Sequence, residues 1–161
     1  MIRLRGQLTE VRRANEGDAD LLVAWHADPE VARYWDGETY TREQVLAGLA
    51  DEQVDAWIVE SGGEPVGYLQ SWWQGASPRR GGLDMFLVPS ARGRGLGPDA
   101  ARALTERLVA EGRVEVTVDP YLWNVHAIRA WTKAGFAPVE ERPADAEHTA
   151  PWLLMRYAAP Q

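Results

Sequence analysis

The segment Leu87-Val88-Pro89-Ser90-Ala91-Arg92-Gly93-Arg94-Gly95-Leu96-Gly97 runs straight into a helical pattern over Pro98 to Ala110, and its reading decides the fold. It joins a strand end to a phosphate-binding helix start. Glycines at 93, 95 and 97 let the backbone approach a ligand closely and adopt positive φ, so that successive N–H groups converge on one anion. The following helix adds its positive end, and a nucleotide-containing cofactor is implied. A Walker loop would need Gly-Lys-Ser/Thr. The dinucleotide pattern Gly-x-Gly-x-x-Gly fails because Leu96-Gly97-Pro98 brings the third glycine one residue early. What fits is Arg-x-x-Gly-x-Gly, although an arginine-glycine loop that merely caps a helix would read the same way.

Downstream, Val114-Glu115-Val116-Thr117-Val118 alternates as a strand and is followed by Asp119-Pro120-Tyr121-Leu122-Trp123-Asn124. A helix then runs toward Gly135-Phe136. Asn124, Ile128, Trp131 and Gly135 fall at i, i+4, i+7 and i+11 and share one face. Asn124 is placed to cap this helix, and Gly135-Phe136 to end it and open another strand.

These two motifs, in this order and with a helix and a strand between them, resemble the GNAT superfamily of N-acetyltransferases. The resemblance implies that the loop residues Arg92, Gly93, Arg94, Gly95, Leu96 and Gly97 hold the pyrophosphate of acetyl-coenzyme A. It places Asn124 and Trp131 along the pantetheine arm, and gives the thioester oxygen backbone N–H donors at a bulge formed by Phe86, Leu87 or Val88. Two departures stand out. Many members carry tyrosine where this chain has Trp131, and an indole cannot protonate the leaving thiolate. The thiolate then leaves unassisted, through water, or with help from Tyr121 or His126. Pro98 fits the first helical turn but removes one N–H from the phosphate nest.

Over residues 8 to 157 the chain is similar to the aminoglycoside 6′-N-acetyltransferases. The marks are Trp25, Asp28, Tyr34-Trp35-Asp36-Gly37, the stretch Glu64 to Ser71, Gly82-Leu83-Asp84 and Val118-Asp119-Pro120. This likeness implies that Asp84 and Asp119 flank the point where two strands splay apart and face an acceptor pocket. There they would bind ammonium groups, with Asp84 as the better base for the attacking amine. Trp35 would wall the sugar rings. Asp84 also fits a turn or a pair with Arg79 or Arg80, and Trp35 fits core packing. The same loop would serve an acyltransferase of siderophores or other small metabolites, a protein-terminus acetyltransferase, or a non-catalytic coenzyme A-binding module.

Composition narrows the setting. The chain has 161 residues, 45% of them hydrophobic, with no apolar run long enough to span a membrane, which suggests a single domain over 1–161. It contains no cysteine, and Met1 to Arg5 does not begin a secretory signal, so a cytoplasmic setting is expected. Histidines at 26, 126 and 148 have no zinc spacing, no metal is expected, and His26 reads as a surface helix residue. With 24 acidic and 17 basic residues the net charge is −7, which argues against nucleic acid and favours a cationic small-molecule partner. A monomer or homodimer is expected, with no membrane partner.

The element pattern predicts an α/β protein with a mixed, mostly antiparallel sheet. Strands are predicted at Leu8 to Arg12, Asp55 to Glu60, Pro65 to Trp73, Gly81 to Val88, Val114 to Val118, Ala137 to Arg142 and Pro151 to Tyr157. Short helices are predicted at Asp18 to Ala27, Pro29 to Trp35, and Thr41 to Ala50, the last with a threonine cap and Glu43. A turn is predicted at Gly75-Ala76-Ser77-Pro78.

Overall fold

A computed structural model describes residues 2–75 and 79–158. Its strands are Arg3–Arg5 (β1), Glu10–Arg13 (β2), Val54–Ser61 (β3), Glu64–Trp73 (β4), Arg80–Leu87 (β5), Glu115–Val118 (β6), Phe136–Arg142 (β7) and Trp152–Tyr157 (β8). They form one sheet in the order β1-β2-β3-β4-β5-β6-β8-β7. Neighbours are antiparallel except β5 and β6, which are parallel and so need a crossover. The helix Leu96–Ala110 (α4) supplies it. This is the mixed, mostly antiparallel sheet that the sequence implies. Of the predicted turn at Gly75 to Pro78, residues 76–78 lie outside the described residues.

The remaining helices are Ala19–Ala27 (α1), Pro29–Ala32 (α2), Arg42–Leu49 (α3) and Val125–Ala134 (α5). Two layers of side chains hold them to the sheet. On one face Leu96, Leu104 and Leu108 of α4 and Trp131 of α5 pack with Leu83, Val116 and Met155. On the other, Leu22, Val31 and Val45 pack with Ile58, Tyr68 and Phe86. Each such side chain contributes roughly 1.5–3 kcal/mol on burial. Alternation along β5 thus sends Leu83 and Met85 toward α4, and Asp84 and Phe86 toward α1. Among the described residues no helix is long and apolar enough to cross a membrane.

Several elements differ from the sequence reading. The first predicted strand is a hairpin whose turn, closed by Gly6 N–H to the Thr9 carbonyl at 2.9 Å, leaves Leu8 exposed. The cause is distant in sequence. Asp99, in the first turn of α4, accepts from Gln7 N–H (2.9 Å), Leu8 N–H (3.0 Å) and Thr9 Oγ1 (2.7 Å), which bends the chain there. Asp18 stands at the N-cap position of α1, but its side chain does not cap that helix: it pairs with Arg12 at 2.8 Å, and Asn15 caps a short turn before it. α2 stops at Ala32 and the chain continues in turns to Gly37. The Thr41 cap is present, but its capping-box partner is Gln44 rather than Glu43, because the third helical position is the one within reach. α4 begins at Leu96 rather than Pro98.

His26 is not a surface residue. It is only 6% exposed, four residues after Leu22 on the inward face of α1, with the rings of Tyr40, Phe86 and Trp35 at 4.6, 5.1 and 5.6 Å. Burial lowers its pKa to about 4, so the ring is neutral at pH 7.

The hairpin clamp leaves no room at Gly6, where an added Cβ would stand 2.1 Å from Asp99 Oδ2. Gly6→Ala should therefore destabilise by about 1–3 kcal/mol. In an Asp99→Ala background the same change should cost much less, and a denaturant double-mutant cycle measures the difference. Additive effects would refute the clamp.

Candidate active site

β5 and β6 pair only at Arg80 with Glu115, Gly81 with Val116 and Gly82 with Thr117. Beyond that point β5 stays on β4 as far as Leu87, while β6 turns to β8. The strands part, and a cleft of about 320 Å³ opens between them. Trp35, Asp84, Asp119, Asn124 and Trp131 all line it, so the residues expected from sequence at the acceptor and those expected along the cofactor arm meet in one place. Asp36 and Glu147 bring two further carboxylates to the same wall.

Asp84 sits half-buried on β5 opposite Gln70 of β4. Gln70 Nε2 donates to Asp84 Oδ2 at 2.9 Å, and Gln70 Oε1 accepts from Tyr68 Oη at 3.0 Å, so the amide is held from both ends. Burial, reinforced by the charge of Asp119, pushes the Asp84 pKa up to about 7, with the Gln70 hydrogen bond acting in the opposite direction. Arg80 pairs instead with Glu115 at 3.1 Å. Asp119 directly follows β6, and its Oδ2 lies 2.7 Å from His148 Nε2. Trp35 both lines the cleft and packs edge-on against Phe86 at 5.4 Å.

Past the end of β5, Gly95 holds φ at +76° as the N-terminal cap residue of α4, and no side chain caps the helix. Its first N–H groups are open to an anion. Gly93 also has positive φ, whereas Gly97 already belongs to the helix. Its need is close approach: an added Cβ would stand 3.2 Å from Met85 Cε. The Arg92 guanidinium points inward and not toward the loop's open side. Its Nε donates to the Leu87 carbonyl (3.2 Å) and its Nη2 to the Glu30 carbonyl (2.6 Å), while the group lies 5.2 Å from the Tyr34 ring centre. Arg94 is exposed and Leu96 buried.

No bulge interrupts β5, whose register with β4 is unbroken from Gly81 to Leu87. Val88 N–H donates to the Val66 carbonyl at 2.9 Å, and antiparallel alternation turns Phe86 N–H the same way. Leu87 N–H faces the opposite edge, where β6 has departed. Of the three donors expected from sequence, Leu87 alone faces the edge that β6 has left.

Asn124 caps α5, its Oδ1 accepting from Ala127 N–H at 3.2 Å, and Gly135 ends the helix with φ of +108°. Trp131 is buried against Phe136, with ring centres 5.3 Å apart. His126 is exposed and does not line the cleft. Tyr121 does, and its hydroxyl joins two loops by donating to Asp36 Oδ1 (2.8 Å) and accepting from Thr149 N–H (3.3 Å). Sequence reasoning missed Gln70, Asp36, Glu147 and His148 as parts of the site. Gln70 faces Asp84 through the register of β4 on β5, which no short turn motif in the sequence fixes, and the loop residues carried no local signal.

The comparisons agree with this geometry. A family model described as an acetyltransferase (GNAT) domain matches residues 14–143. The chain belongs to the GNAT acetyltransferase family. Among curated GNAT relatives, aminoglycoside N(6′)-acetyltransferase type 1 of Klebsiella pneumoniae is 34% identical over 145 residues, covering 78% of this chain and 72% of the relative. AAC(6′)-Ib solved with acetyl-coenzyme A superposes with a TM-score of 0.80 at 30% identity, covering 94% of this chain and 93% of the other. The same enzyme solved with coenzyme A and kanamycin gives a TM-score of 0.78 at 30% identity, covering 92% and 93%.

The raised Asp84 pKa has a stability consequence. The folded state keeps the proton up to about pH 7, whereas the unfolded chain releases it near 3.8. Stability therefore falls as pH rises between these values. Asp84→Asn should be more stable than the parent at pH 8, on the order of 2 kcal/mol given about 1.4 kcal/mol per unit and water in the cleft. The gain should vanish below pH 4, and thermal unfolding across this range measures it.

Proposed function

We propose that this chain transfers the acetyl group of acetyl-coenzyme A to the 6′-amine of an aminoglycoside in a ternary complex, and so confers resistance. The observation that carries this reading is the convergence of Asp36, Asp84, Asp119 and Glu147 on one cleft that also reaches the pantetheine face of α5. An aminoglycoside bears several ammonium groups, and fixed carboxylates both bind and orient them. Kanamycin in the solved AAC(6′)-Ib complex supports the same acceptor class. The absence of cysteine and the net charge of −7 support a cytoplasmic setting without nucleic acid. We read residues 1–161 as a single N-acetyltransferase domain, active as a monomer or homodimer.

In this reading the backbone N–H groups from Gly93 to Gly97, together with Arg94, hold the pyrophosphate, while the Arg92 side chain braces the loop from behind. Asn124 and Trp131 flank the pantetheine arm, and Leu87 N–H faces the thioester oxygen. Asp119 and Trp35 hold the acceptor. Asp84 takes a proton from the acceptor's ammonium group, and the freed nitrogen adds to the thioester carbon. The C–S bond then breaks, and the second proton of the nitrogen passes through water to the departing thiolate, since Trp131 supplies none. A pKa near 7 suits Asp84 to this step better than an ordinary carboxylate.

Acetyl-coenzyme A should raise the melting temperature by mass action. Gly95→Val, placed at φ +76°, should abolish that shift. Asp84→Asn should keep the shift but lose roughly a hundredfold or more in acetyl transfer to kanamycin. Normal turnover in that variant would assign Asp84 to structure.

Trp131→Tyr should fold and remain active, whereas Trp131→Ala should cost about 3–5 kcal/mol of stability and weaken acetyl-coenzyme A binding. Normal cofactor affinity in the alanine variant would remove Trp131 from the pantetheine face.

A further inference from the structure

His148 lies in the loop between β7 and β8, buried, with both ring nitrogens engaged. Nε2 is 2.7 Å from Asp119 Oδ2 and Nδ1 is 2.8 Å from Asp145 Oδ1. The ring stacks on Trp152 with centres 4.1 Å apart and planes inclined by 13°. Asp145 is fixed in turn, accepting from the Trp152 indole at 3.1 Å and from His148 N–H at 2.8 Å. Neither the glycine loop nor the α5 motif accounts for this construction. It immobilises one oxygen of a carboxylate whose other oxygen, Oδ1, has no hydrogen-bond partner among the described residues.

Resting on the acceptor reading above, we propose that His148 is a positioning residue for the acceptor: clamped between Asp119 and Asp145 and stacked on Trp152, it fixes Asp119 so that Oδ1 is presented to an ammonium group of the substrate. A free aspartate at a strand end would sample several rotamers, and ordering it on binding would weaken the contact. The clamp removes that freedom beforehand. A cationic imidazole also lets two carboxylates stand close together without expelling each other's charge. Burial disfavours the imidazolium, but the hydrogen bonds to Asp119 and Asp145 outweigh it and hold His148 above its ordinary value. The charged or titratable groups around it are Asp119 at the end of β6, Asp145 and Glu147 of its own loop, and Tyr121, whose ring is 5.9 Å away. Asp36 is reached through the Tyr121 hydroxyl, and Arg142 of β7 lies over the far ring, Trp152.

The test uses the full chain with acetyl-coenzyme A and kanamycin A. His148→Phe keeps a ring on Trp152 and removes both hydrogen bonds, whereas His148→Gln keeps one N–H donor without charge. The phenylalanine variant should raise the KM for kanamycin about tenfold or more with the KM for acetyl-coenzyme A unchanged, and the glutamine variant should recover part of the loss. An unchanged kanamycin KM in His148→Phe overturns the proposal. Independently of turnover, the imidazole of His148 followed by NMR should titrate above pH 6.5, and lower in Asp119→Asn and in Asp145→Asn. A titration indifferent to Asp119 overturns it as well. Failure of the parent to acetylate kanamycin would defeat the acceptor reading, and the NMR coupling would still decide between a clamp and an uncoupled histidine.

Discussion

The parting of β5 and β6 after three paired residues is the constraint on which the rest of the molecule depends. The pairing just before it is tight. A Cβ at Gly82 would stand 2.5 Å from the Trp72 ring and 2.6 Å from the Thr117 carbonyl, so only glycine allows this approach. Past that point the antiparallel ladder keeps β5 on β4, and β8 draws β6 away. Backbone groups that a continuous sheet would have paired are left facing the gap. That is why Leu87 N–H has a direction without a partner strand, and why the Arg92 guanidinium bonds the Leu87 carbonyl.

Charge in the cleft follows from the same geometry. Asp84 faces away from α4 by strand alternation, toward Gln70 and the aromatic cluster of Tyr68, Phe86 and Trp35. Poor solvation and the nearby Asp119 raise its proton affinity. An incoming ammonium group would add positive charge beside Asp84. Acceptor binding and Asp84 ionisation are therefore linked, each favouring the other.

The parts legible in the sequence were those written locally. The glycine loop, the α5 cap at Asn124 and the Gly135 ending each depend on a few consecutive residues whose backbone needs are plain. Asp84 and Asp119 were found through resemblance and their position before those motifs. What was not legible depends on segments distant in sequence. The β1–β2 turn is shaped by Asp99, some ninety residues away. The expected bulge is absent, and it is the regular ladder of β5 on β4 that turns Leu87 N–H toward the edge left by β6. His126 and His148 looked alike as scattered histidines, yet one is exposed on α5 and the other is clamped between two carboxylates. For His26 a signal existed, its spacing from Leu22, and it was overridden by polarity.

The Tyr121 hydroxyl, bonded to Asp36 on one side and to Thr149 on the other, ties three loops into one wall of the cleft. The two hydrogen bonds couple the placement of the loops that meet at this hydroxyl. A substitution in any one of the loops displaces the other two, so effects on acceptor choice should not add across them. Drift toward a new acceptor then requires coordinated changes in residues near 36, 121 and 149, whereas the donor end, built on α4 and the sheet, is left undisturbed. Selectivity in this fold can be replaced as a block while the acetyl-delivering half is inherited intact.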